Sequence, residues 1–288
     1  MPIVVPLLAG ILVPAGLSTA LLALSVRLGP EGSPPRGRQA LWALSLAAAF
    51  LAGHAVVAGI PPLPPVDAGE WLFYFVPLAA ALSAIEAIQE TPEVLSRLAR
   101  AALIYGLFFL TFRPLIDMAW GRQKGAFLVL LLSLLVLSVW QGLAELSRSV
   151  RAPALLSALL ASAACAAATL ALSGSALLGQ LAGVLASALA PFAIIAMWRP
   201  AHAPAGGLVA PSVLILGALL AQGVYYSALS PSSALVLLAA PLLCAAELFP
   251  PLARGPARRA ALWSAAAASA AGGVCVLQAA RHLPPGGY

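Results

Sequence analysis

The chain has 288 residues, of which 62% are hydrophobic and 8% charged, whereas a soluble domain is about half apolar and a quarter charged. A water-soluble fold is excluded, because no core of this size hides so much apolar surface. The net charge of +6 does not indicate a nucleic-acid partner either: the 15 basic residues are dispersed among short connections and only Lys124 is a lysine, so they read as topology signals.

The apolar residues fall in runs of about 20, the length that crosses roughly 30 Å of hydrocarbon at 1.5 Å per residue. In chain order the first run is Ile3 to Val26. Its start, MPIVVPLLAG, lacks the positive segment of a secretory signal, and its first arginine, Arg27, follows the run, so it is read as a span. The second, Ala40 to Ile60, carries His54 and leads into the proline-rich loop Ile60 to Glu70, for which an extended polyproline conformation is expected. With Trp71, Phe73, Tyr74 and Phe75 that loop forms an aromatic rim, an interface anchor or a partner-docking surface.

The third span is Trp71 to Ile88, with Glu86 near its end, and the fourth is Ala101 to Trp120, with Arg113, Pro114 and Asp117. Ala126 to Leu146 and Pro153 to Leu172 follow, then Ser175 to Met197, Gly207 to Leu229, Ser232 to Phe249 with Glu247, and Ala260 to Ala280. The expectation is an all-α polytopic membrane helix bundle of ten spans, one integral membrane domain over residues 1–288 with the lipid bilayer as its solvent.

An N-terminus outside places Arg27, Arg36, Arg38, Arg97, Arg100, Arg148, Arg151, Arg199, Arg254, Arg258 and Arg259 in inward connections, 11 of the 15 basic residues. Only Arg122, Lys124 and Arg281 lie outward, so both termini are expected on the non-cytoplasmic side of a cell membrane. Trp42, Trp71, Trp120, Trp198 and Trp263 fall near span ends, where amphipathic rings prefer to lie.

Leu8-Ala9-Gly10-Ile11-Leu12 resembles Leu181-Ala182-Gly183-Val184-Leu185, and the similarity continues until Arg100-Ala101-Ala102-Leu103 meets Arg259-Ala260-Ala261-Leu262. The pattern suggests a parallel 4+2+4 repeat, with halves 1–120 and 175–281 joined by linking spans over 126–172. Chance agreement between Ala- and Leu-rich spans is the competing explanation. In such a repeat Glu86 and Glu247 are symmetry mates able to face one another across the axis.

A charge within a span costs at least about 2.5–3.5 kcal/mol on insertion scales, so each one needs a partner, a route to the interface, or a task. Arg113 and Asp117 are four residues apart and share a helix face, either as an anion or proton site joined by His54 or as a self-neutralising pair at the interface. Glu86 and Glu247 are candidate proton or cation groups, or simply partners for nearby arginines. Cys165, Cys244 and Cys275 sit in apolar runs without paired spacing and read as packing residues. His202 and His282 fall outside the bilayer on opposite sides, so no haem or other cofactor is expected.

No nucleophile elbow, zinc-binding histidine pair or phosphate loop is present, which argues against an enzyme. Ten spans, internal prolines and a few buried charges suggest a transporter or permease-like protein for a small solute or ion. The alternative is a non-catalytic subunit packing against other membrane subunits, or a homo-oligomer, through helices rich in small residues. In size and span number the chain is similar to ten-span permeases of the drug/metabolite transporter superfamily. Those carry inverted five-span repeats and cytoplasmic termini, so no family follows from that similarity.

Overall fold

A computed structural model describes residues 4–28, 35–89, 91–199, 203–249 and 255–281. Glu90, His202, Arg254 and His282 lie outside the described residues, as does the side chain of Arg27. The described residues are helical without strands and contain ten helices long and apolar enough to cross a bilayer.

In chain order the α-helices are α1 (Val4–Leu28), α2 (Pro35–Ala58), α3 (Trp71–Ile88), α4 (Glu93–Leu115), α5 (Arg122–Ser149), α6 (Ala152–Leu172), α7 (Ala176–Trp198), α8 (Gly206–Tyr226), α9 (Pro231–Ala239), which forms only the first half of the ninth span Pro231–Leu248, and α10 (Ala257–Arg281). Two of the spans change winding on the way. After Pro114, α4 passes into a π-turn, Ile116–Trp120, closed by the Gly121 amide on the Ile116 carbonyl at 3.1 Å. Pro114 has no amide to give the preceding turn, and Gly121 at φ 74° ends the helix in a region closed to most side chains.

The ninth span continues from α9 into a 3-10 helix, Ala240–Leu248, whose second residue is Pro241. Tighter winding has a use here. An 18-residue α-helix is about 27 Å long, but nine α residues plus nine 3-10 residues reach about 32 Å, enough for the hydrocarbon thickness. The proline supplies the change, because it cannot donate to the carbonyl that an unbroken α-helix would offer.

At the centre stands α8, 94% of whose span is buried, whereas only 28% of the α1 window is. It is surrounded by α2, α3, α5 and α7, while α6 packs between α7 and α10. Small residues permit this density. A side chain on Gly207 would lie 2.1 Å from the Gln39 carbonyl oxygen, and one on Gly53 would lie 2.4 Å from Val184. At the α2–α8 crossing the Gly207 carbonyl also accepts the Ser83 hydroxyl of α3 at 3.1 Å, which ties three helices together. The expected spans correspond to the observed helices, with α2, α4 and α5 starting four to eight residues earlier than the apolar runs do. Their charged first turns wind on because helical hydrogen bonding does not end where hydrophobicity does.

Candidate functional site

Two cavities lie at opposite ends of the bundle, and α2 connects them: Arg36 near its start lines one, His54 and Ala58 near its end line the other. Eighteen residues of α-helix separate Arg36 from His54 by about 27 Å, close to a membrane's hydrocarbon thickness. Between them Ala43, Leu46 and Phe50 on α2 are wholly buried, as are Leu72, Val76, Ala79 and Ala80 on α3. These buried apolar side chains occupy the segments of α2 and α3 that run between the cavities.

The His54 cavity has a volume of about 310 Å³. Its walls come from α2, α7 and α8, and its roof from the loop that ends in the 3-10 turn Ala68–Glu70. Instead of an extended polyproline run, the loop folds back on α3: the Tyr74 hydroxyl donates to the Pro61 and Pro62 carbonyls at 2.9 and 3.2 Å. The Glu70 carboxylate fixes its other end by accepting the Val66 and Asp67 amides at 2.7 and 3.0 Å.

His54 is 3% exposed, with its ring 6.2 Å from Phe50 and 5.2 Å from Phe73. Among the described residues its Nδ1 has no hydrogen-bond partner, and neither does Nε2 of Gln222, also 3% exposed, on α8. A side chain at Gly69 would stand 3.2 Å from Gln222 Oε1, so the absence of one lets the roof close on that amide. Beside the cavity, Tyr226 donates to the Thr111 carbonyl at 2.8 Å and stacks on Phe112 at 5.8 Å.

The arginine-rich cavity is larger, about 430 Å³, and is lined by the start of α2 and α4 and the ends of α3 and α5. Glu86 receives Arg100 at two points, Nε to Oε1 at 2.9 Å and Nη2 to Oε2 at 2.7 Å, and also the Ser96 hydroxyl. The same guanidinium donates to Gln141 Oε1 at 3.0 Å and lies 5.6 Å from the centre of the Trp140 ring. Gln141 Nε2 is buried without a partner. Around this network Arg97 pairs with Glu93 and Arg148 with Glu145, both exposed pairs within single helices.

Arg113 and Asp117 pair with each other at 3.7 Å, with side chains 67% and 59% exposed. Neither lines the His54 cavity, although Thr111 and Phe112 on the buried side of the same turn reach its neighbourhood. Their placement follows from helix geometry: the residues of one turn point in different directions, and Phe112 takes the buried one.

Glu86 and Glu247 each hold a different arginine. Glu247, 4% exposed, accepts the Arg151 backbone amide at 2.9 Å and its guanidinium, which also donates to the Gly255 carbonyl at 2.8 Å. In the expected repeat, the counterpart of Arg100 would be Arg259, not Arg151, so the two carboxylates do not have matching partners. Gln222, Gln141 and Trp140 were not singled out as site residues from the sequence. The available signal was an uncharged amide in an otherwise apolar run, which costs too little to stand out beside the charges. No family profile, curated protein or solved structure matches this chain.

Proposed function

We propose that the protein is a multi-pass, permease-like transporter for a small solute or ion, with the arginine-rich cavity at the cytoplasmic face and both termini on the other side of a cell membrane. One observation carries the reading: α2 lines a cavity containing ionisable side chains at each end, about a membrane thickness apart, with buried apolar residues between. That arrangement suits a closed state in an alternating-access cycle. Among the described residues Nδ1 of His54 and the amide nitrogens of Gln141 and Gln222 have no partner, which suits binding better than packing, since such an atom costs about 1–3 kcal/mol when its hydrogen bond is left unmade.

The parallel 4+2+4 duplication belongs to this proposal. In its favour, α1 packs on α7 and α2 on α8, but among the described residues α2 also packs on α7 and α3 on α8 without the matching α1–α8 and α2–α9 packing that a two-fold axis requires. Against it stand the unmatched partners of Glu86 and Glu247.

Site-directed accessibility tests the transport reading without a known substrate. Cysteine is placed at Ala47 on α2 or Ala79 on α3, both buried between the cavities, in a chain whose own three cysteines are replaced. A permease exposes these positions as it cycles, so a membrane-impermeant maleimide should label them from both sides. Labelling from neither side over hours overturns the proposal.

A second reading, a non-catalytic subunit of a larger membrane assembly, is favoured by Ile60, Leu63 and Val66, which are 77%, 79% and 81% exposed on the loop beyond the spans. It requires other chains to co-purify stoichiometrically and to be lost when these three residues become serine.

A further inference from the structure

The two cavities differ in charge. Asp67, Glu70 and His54 line the His54 cavity and, among the described residues, no arginine or lysine does, whereas Arg36, Arg97, Arg100 and Arg148 line the other. We propose that the His54 cavity binds a small organic cation, a primary ammonium compound that also carries a hydrogen-bond acceptor such as a hydroxyl.

Acidity alone would not select such a ligand. The independent observation is the pair of buried side chains in the wall, His54 and Gln222, whose Nδ1 and Nε2 have no hydrogen-bond partner among the described residues. The amide nitrogen can only donate, so it requires an acceptor atom on the ligand. A neutral imidazole whose proton is on Nε2 offers Nδ1 as an acceptor, which suits an ammonium N–H. Ammonium and hydroxyl on one small molecule meet both demands, while Asp67 and Glu70 at the roof supply the opposite charge.

Bare metal ions fit less well, since among the described residues no group of three His, Cys, Asp or Glu side chains is placed to hold one. An anion would meet two carboxylates and no cationic side chain. The volume of about 310 Å³ lies at the lower end for small-molecule sites and limits the ligand to a compact solute. Tyr226 on the same wall adds an aromatic surface that favours cations.

The assignment rests on the permease reading only for the statement that the bound cation is also the solute carried. The test uses the full chain in lipid nanodiscs and three compounds of nearly equal size: 4-aminobutan-1-ol, butane-1,4-diol and 4-hydroxybutanoate. Only the first, a cation at neutral pH, should raise the unfolding midpoint in a saturable way. The Asp67→Asn/Glu70→Gln double variant, which keeps a side-chain acceptor for the loop amides, should weaken its apparent Kd by about tenfold or more.

Gln222→Leu should weaken it as well, with Gln222→Met as the substitute if that variant does not fold. Glu93→Gln, at the opposite cavity, should leave it unchanged. Equal shifts with the diol or the anion, no shift with any of the three, or an unchanged Kd in the double variant overturns the assignment. Ammonium binding with no two-sided labelling at Ala47 and Ala79 removes the transport reading and keeps the site. Two-sided labelling without ammonium binding does the reverse.

Discussion

Arg100 on α4 grips Glu86 on α3 with two hydrogen bonds, 2.9 and 2.7 Å long, while both side chains are only 12% and 15% exposed. Two charges withdrawn this far from water hold each other in place, and each depends on the other for its solvation. The pair therefore joins the two helices at the arginine-rich cavity and sets the position of Gln141, which bonds to the same guanidinium.

Removing one partner should accordingly cost more than removing both. Arg100→Met is expected to destabilise the protein by about 3–5 kcal/mol, because Glu86 is left charged and poorly hydrated. Glu86→Leu combined with Arg100→Met should recover a large part of that loss. Unfolding of the three variants in one detergent, analysed as a double-mutant cycle, measures the coupling. Additive losses would show that the pair has no joint role.

The same logic ranks Glu247 and Asp117. Glu247→Ala leaves the Arg151 guanidinium and amide without their buried acceptor and should cost about 3 kcal/mol or more. Asp117→Ala removes one member of an exposed pair and should change stability by about 1 kcal/mol or less. Thermal unfolding of both variants checks the order, and a larger loss at Asp117 would place that residue in a buried site after all.

Gly207→Ala should be among the most damaging small substitutions in the chain. Its new methyl would meet the Gln39 carbonyl oxygen at 2.1 Å, so α2 and α8 must move apart at the point where Ser83 also holds α3 to the Gly207 carbonyl. Gly37→Ala, in the first turn of α2, meets nothing within 4 Å and should stabilise slightly, by less than the roughly 0.5–1 kcal/mol of a helix interior. Unfolding midpoints of opposite sign relative to the parent protein are the expected result.

Gln222→Leu is expected to raise stability by about 1 kcal/mol, since it replaces a buried amide with an unmade hydrogen bond by an apolar side chain of similar length. It should do so while weakening ammonium binding. A loss of stability would show that the amide is needed for packing, independent of any ligand.

The relation between sequence and structure differs from one residue to the next. Trp71 to Ile88 is read with the same bounds in both, because an apolar run of bilayer length flanked by polar residues has only one helical solution. A proline stands beside each change of winding, Pro114 before the π-turn and Pro241 at the start of the nine 3-10 residues, but the residue type does not say which winding follows. The His54 cavity was half legible: the histidine was conspicuous as a titratable group in a span, but its expected companions Arg113 and Asp117 lie on the exposed side, and Gln222 stands there in their place.

Taken by itself, the sequence determined the solvent, the helical class and the ten spans, since these depend on local lengths of apolar chain matched against the thickness of hydrocarbon. Only the tertiary structure decided which polar groups meet. Glu86 finds Arg100 fourteen residues away, Glu247 finds Arg151 across 96, and His54 shares a wall with Gln222 from a helix much later in the chain. Those meetings depend on which helices are neighbours and how each is turned about its axis, and small residues such as Gly207 and Gly53 set that packing through contacts that composition does not record.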